Sequence, residues 1–162
     1  MRTDGASEMR VSTLILRFLE HAATYYREPD GTPAKEVTNF KQALGPLRRL
    51  YGATLARDFG PLALKTVGEE MVRMGWCRNV VNRQTTRIRQ VFIWATECEL
   101  VPAPVLHGLA AVSGLRTGRS DARESEPVQP VPEAHVFAIK DYVSRQVWAM
   151  VELQWLRRTQ AS

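Results

Sequence analysis

Apolar residues recur along this chain at steps of three and four, the spacing of one face of an α-helix. In residues 11–26 the stripe is Leu14, Ile15, Phe18, Leu19, Ala22 and Tyr26, and Ser12 or Thr13 is placed to cap its start. Pro29-Asp30-Gly31-Thr32-Pro33 then forces a turn. A second stripe over residues 35–51 runs through Val37, Phe40, Leu44, Leu47 and Leu50 or Tyr51. Gly45-Pro46 falls inside it, and the missing proline N–H predicts a kink or break near residues 42–46. Gly52 is the expected stop. Residues 54–59 read as a short helical turn. Pro61 suits the first turn of a third helix over 61–74, with Leu62, Leu64, Val67, Met71 and Val72 as its apolar set and Gly75 as its end.

The fourth segment, from Arg78 to about Leu100, holds neither Gly nor Pro. Val81, Thr85, Ile88, Phe92 and Ala95 fall on one face, and Arg83, Thr86, Arg87 and Gln90 on another. Val101-Pro102-Ala103-Pro104 breaks the chain, and residues 105–112 read as a short last helix with Leu106 and Leu109 closing the core. Residues 113–132, with Gly114, Gly118, Ser120, Ser125, Pro127, Pro130 and Pro132, read as a linker whose last six residues are extended. Helical pattern resumes at Glu133. The fold class is therefore all-α: a bundle of four to five helices over 11–112, after a disordered stretch at 1–10, then a linker at 113–132 and a helical segment at 133–162. About 30 residues are too few for an independent core.

The 162 residues are 44% hydrophobic and 24% charged, ordinary values for a globular protein. The formal net charge of +5 is unevenly spread. Residues 41–89 carry ten basic residues against three acidic ones, a net of about seven positive charges. The preceding residues hold five bases and six acids, and the following ones seven and eight. A central cationic block fits a polyanionic partner. A solvated cationic face is the plainer reading of the fourth helix taken alone. Inside that helix, however, no acid precedes Glu97, so pairing at i,i+4 does not account for its arginines.

No run approaches the roughly 18 apolar residues of a membrane span, and the first residues lack the apolar centre of a signal peptide. Cys77 and Cys98, with no short spacing, suggest reduced thiols in a cytoplasmic protein and no zinc site. His21, His107 and His135 lack ligand spacing, so no metal and no cofactor are expected. Tyr25, Tyr26, Tyr51 and Tyr142 sit among apolar neighbours in predicted helices and read as packing residues, as do Trp76 and Trp94. No nucleophile–base set, phosphate loop or paired-carboxylate signature stands out, so no catalytic residue and no small-molecule substrate are expected.

The order of several short motifs resembles the tyrosine recombinases, or phage-type integrases. Phe59-Gly60-Pro61-Leu62-Ala63-Leu64-Lys65 is similar to the segment before their third helix. Asn82-Arg83-Gln84-Thr85-Thr86-Arg87-Ile88-Arg89-Gln90-Val91-Phe92-Ile93-Trp94-Ala95 is similar to their fourth helix, and Glu99-Leu100-Val101-Pro102 to the turn after it. The arm Pro127-Val128-Gln129-Pro130-Val131 and Trp148-Ala149-Met150-Val151-Glu152-Leu153-Gln154 resemble the family's entry into its catalytic domain.

The resemblance implies a SAM-like core-binding domain that clamps one side of duplex DNA with its second and fourth helices. The partners it implies are double-stranded DNA and other recombinase protomers on that DNA. The location it implies is the bacterial cytoplasm, on the nucleoid when bound. Carried over, it points to Lys41 on the second helix and to Arg78, Arg83, Thr86, Arg87 and Gln90 on the fourth. Lys65 and Arg73 follow as edge phosphate contacts, and Arg116 and Arg119 as contacts along the linker. The family's Thr-Gly-x-Arg motif is absent, and the residues after Gln154 depart from the pattern. Residues 133–162 thus resemble only the start of a catalytic domain, and the catalytic Arg-Lys-His-Arg-Tyr set is missing. The rival expectation is a helical protein–protein interaction module that does not bind DNA.

Overall fold

A computed structural model describes residues 8–32, 34–126 and 131–159. The chain is all-helical, and no named strand occurs among the described residues. It divides into two compact units, residues 1–125 and 126–162. In the first unit, α1 is Val11–Tyr25, α2 Lys35–Tyr51, α3 Pro61–Arg73, α4 Arg78–Glu97 and α5 Ala103–Ala110, with a 3-10 turn at Ala56–Asp58. Helix α4 packs against each of the other four.

The predicted stripes are the ones that go inside. Val81, Ile88, Phe92 and Ala95 of α4 are buried, with Thr85 nearly so. They meet Leu14, Ile15 and Phe18 of α1, Phe40, Leu44 and Leu47 of α2, and Leu64, Val67 and Met71 of α3 in one cluster. Aromatic rings from different elements interlock at its centre. Phe18 meets Phe40 edge-on at 4.8 Å and Phe59 stacks on Phe92 at 5.0 Å. Each such side chain contributes about 1.5–3 kcal/mol by burial. Leu109 closes the core as expected and Val112 joins it, while Leu106 is only half-buried and Leu62 is exposed.

Several details differ from the expectations. Arg10, not Ser12 or Thr13, is the N-cap of α1, and no side-chain cap forms. The first N–H groups are satisfied from a distance, by Val11 N–H to Thr54 O at 2.9 Å and Ser12 N–H to Gly52 O at 3.0 Å. Met9 is buried and Arg10 bridges Leu55, so residues 8–10 are ordered on the bundle; residues 1–7 of the expected disordered stretch lie outside the described residues. Helix α2 runs unbroken through Pro46. The buried Phe40, Ala43, Leu44 and Leu47 on both sides hold the segment helical despite one missing donor. Gly52 ends α2, where a Cβ would lie 2.4 Å from Arg48 O.

The expected linker divides in two. Residues 113–125 lie against α4 as a strap. Asn82 accepts the Leu115 N–H at 2.7 Å and donates to Leu115 O at 3.0 Å. Gly114 passes so close that a Cβ would lie 3.1 Å from the Asn82 amide oxygen. Arg89 donates to Val112 O at 2.6 Å, and the Arg78 N–H, an unpaired first-turn donor of α4, reaches Arg123 O at 2.8 Å. Ala122 of the strap is itself buried. The boundary therefore falls at residue 125 rather than 112. Residues 127–130, where an extended arm was expected, lie outside the described residues.

The second unit, described by itself, contains α6 at Glu133–Ala138, a 3-10 turn at Lys140–Tyr142 and α7 at Arg145–Thr159. Trp148 is the buried residue among those described in this unit, 5.6 Å from Phe137, with its indole N–H donated to Glu152 at 2.6 Å.

Candidate nucleic-acid interface

Three strips run along α4 outside its core face. One strip faces α2. There Arg87 donates through Nε and Nη2 to the two Glu36 oxygens at 2.8 and 3.0 Å, and through Nη1 to Gln84 at 3.3 Å. Asn39 donates to Glu36 at 2.9 Å and the buried Gln84 donates to Gln42 at 3.3 Å. This closed network holds the Glu36 carboxyl below its usual pKa, first through the Arg87 hydrogen bonds, against the opposing effect of burial. Arg87 is therefore a structural tie between α2 and α4, with 12% of its side chain exposed.

A second strip, Arg78, Asn82 and Arg89, lies under the 113–125 strap. Arg78 is paired to Glu124 at 2.7 Å, and that bond raises the pKa of its guanidinium further.

The third strip is open. Arg83, Thr86 and Gln90 are exposed, one helical turn apart, and line a groove of about 220 Å³ with Glu36 and Arg87. Arg83 forms no ion pair within 4 Å among the described residues, although the Glu36 carboxylate on the same groove attracts it. The Thr86 hydroxyl donates to Asn82 O at 3.0 Å, leaving its oxygen lone pairs toward solvent.

The other expected contacts are dispersed. Lys41 on α2 is exposed and unpaired among the described residues. Lys65 and Arg73 on α3 line a separate groove of about 520 Å³ together with Arg119. Arg73 pairs with Glu70 at 3.0 Å, and Arg49 pairs with the same carboxylate from α2. Arg116 is exposed on the strap, outside both grooves. Of the ten expected residues, one groove gathers Arg83, Thr86, Arg87 and Gln90, and another gathers Lys65, Arg73 and Arg119.

The acids that claim Arg78 and Arg87 are not legible in the sequence. Glu124 and Glu36 lie 46 and 51 positions away, so no local spacing reveals them. Tyr25 and Tyr142, expected as packing residues, also differ. Both are exposed, because Tyr25 falls off the α1 stripe and Tyr142 sits in a short turn. Among the described residues no group of three or more His, Cys, Asp or Glu is placed to hold a metal, and no helix is long and apolar enough to cross a membrane. No family model, curated protein or solved structure matches the chain.

Proposed function

We propose that residues 8–125 form the DNA-binding domain of a tyrosine recombinase, docking on duplex DNA through the outer strip of α4. The reading rests on the order of motifs, on the central block of positive charge, and above all on Arg83. That guanidinium stands exposed, outside any ion pair among the described residues, on one strip with the Thr86 hydroxyl and the Gln90 amide, the donor and acceptor types that meet phosphates and base edges. Lys41, Lys65, Arg116 and Arg119 are exposed cations without an ion pair among the described residues, and they add sequence-independent attraction. Arg87 and Arg78 act indirectly, by fixing α4 against α2 and against the strap. Chemistry on the DNA belongs to residues that this chain does not match.

Fluorescence anisotropy of the full chain with a labelled random duplex, titrated with KCl, tests the reading. Binding in the micromolar range that weakens steeply with salt is expected. Absence of binding at low salt overturns it.

One observation favours a second reading. Tyr142, Met150 and Leu153 of the second unit are 88%, 59% and 65% exposed. Exposed apolar side chains of this kind suit a protein partner. In that case a salt-insensitive protein complex forms and the duplex is not bound.

A further inference from the structure

The open strip of α4 leads into a cleft built from aromatic rings. His21 of α1 lies between Trp94 and Tyr25, stacked on Trp94 at 5.2 Å and 23° and on Tyr25 at 5.4 Å and 25°. The three rings form a column. Phe18 braces its inner end, edge-on to Trp94 at 5.5 Å. Tyr25 ends the column at the surface, edge-on to Tyr26 at 5.0 Å and with 70% of its area exposed. An aromatic ring held in a stack yet left in water gives up hydrophobic stabilisation that burial would supply.

The cleft beside this column has a volume of about 330 Å³, at the small end of ligand sites, roughly 300–1,000 Å³. Gln90 and Glu97 line it. An amide and a carboxylate together accept from the exocyclic amines of adenine, cytosine or guanine, and the amide also donates to ring acceptors. Gln90 lines the Arg83 groove as well, so the two cavities adjoin at one side chain. Gln90 and Trp94 are one turn apart, about 6 Å along the axis.

We propose that this cleft takes an unpaired nucleobase, stacked on Tyr25 at the exposed end of the Tyr25–His21–Trp94 column, while Arg83 holds the backbone of the same strand. The inference rests on the DNA-binding reading and specifies it. The domain prefers DNA in which a base is already out of the stack, since opening an intact pair costs free energy that a bulged or single-stranded base does not require. Glu97 repels phosphate from the cleft, so a base rather than the backbone enters it.

The test compares the full chain's affinity for a duplex and for the same duplex with one bulged adenine. The expected result is about fivefold or more tighter binding of the bulged DNA, the lower end for one base stacked on an aromatic ring. Tyr25→Ala and Tyr25→Leu abolish that preference and leave duplex affinity unchanged, while Tyr25→Phe retains it. Tyr25 is exposed, and unchanged far-UV circular dichroism verifies that each variant folds. Equal affinity for the two DNAs, or a preference that survives both Tyr25→Ala and Tyr25→Leu, overturns the base site while duplex binding still supports the DNA reading. Failure to bind either DNA overturns both.

Discussion

Glu99 is the one residue other than glycine among those described with a positive φ, 56°. It follows the end of α4, where Leu100 N–H reaches back to Ala95 O at 2.8 Å. That is the left-handed position that helix ends usually give to glycine. Glu99→Gly is expected to stabilise the bundle by about 0.5–1 kcal/mol, because the relieved strain exceeds the extra chain entropy of glycine. Urea denaturation measures it, and a lower midpoint would refute the strain. Glu36 carries the second prediction at this scale. Its folded pKa is depressed, so it contributes stability above the unfolded carboxylate pKa, and that contribution is lost as pH falls through the folded value. Glu36→Gln should cost about 1–2 kcal/mol at neutral pH, after allowance for its 34% exposure, and the gap to the parent protein should close as acid is added. A gap that is constant with pH would mean that the carboxylate charge is not what matters. None of this was visible in the sequence. Glu36 and Arg87 each look like ordinary surface charge, and only the packing of α2 on α4 makes them one group.

At the scale of elements, the legible part was the apolar periodicity. Val81, Ile88 and Phe92 mark the inner face of α4 because a buried stripe requires that spacing, and Lys35–Tyr51 emerges with its expected bounds. The strap was illegible for an equally physical reason. Its Gly, Ser and charged residues have the composition of a linker, and its order comes from α4, through Asn82, Arg89 and Arg78. Asn82→Ala removes two hydrogen bonds to the Leu115 backbone. It should cost about 1–2 kcal/mol and speed amide exchange across 112–125 more than in α1–α3. Uniform acceleration through the whole bundle would show instead that the strap is inseparable from the core. Pro46 teaches the complementary lesson, since a local breaker was overridden by burial on both sides of it.

For the whole molecule, the two compact units make truncation informative. A fragment of residues 1–125 retains the strap, the Arg78–Glu124 pair and the buried Ala122, whereas 1–112 loses all three. The longer fragment should be the more stable by about 2 kcal/mol or more in chemical denaturation. Equal stability would return the strap to the status of a linker. The charge block also reads differently at this scale. Its excess over residues 41–89 is real, but Glu36 and Glu124 outside the block neutralise two of its arginines, and Glu70 holds two more. What remains for a polyanion is a sparser set, with Arg83 at its centre on α4.

The salt dependence of duplex binding by Arg83→Ala, beside the parent chain, tests this assignment most directly. Weaker binding with the slope of log K against log salt reduced by about one unit, at unchanged thermal stability, is the predicted result. Unchanged affinity and slope would contradict the placement of DNA on the outer strip of α4.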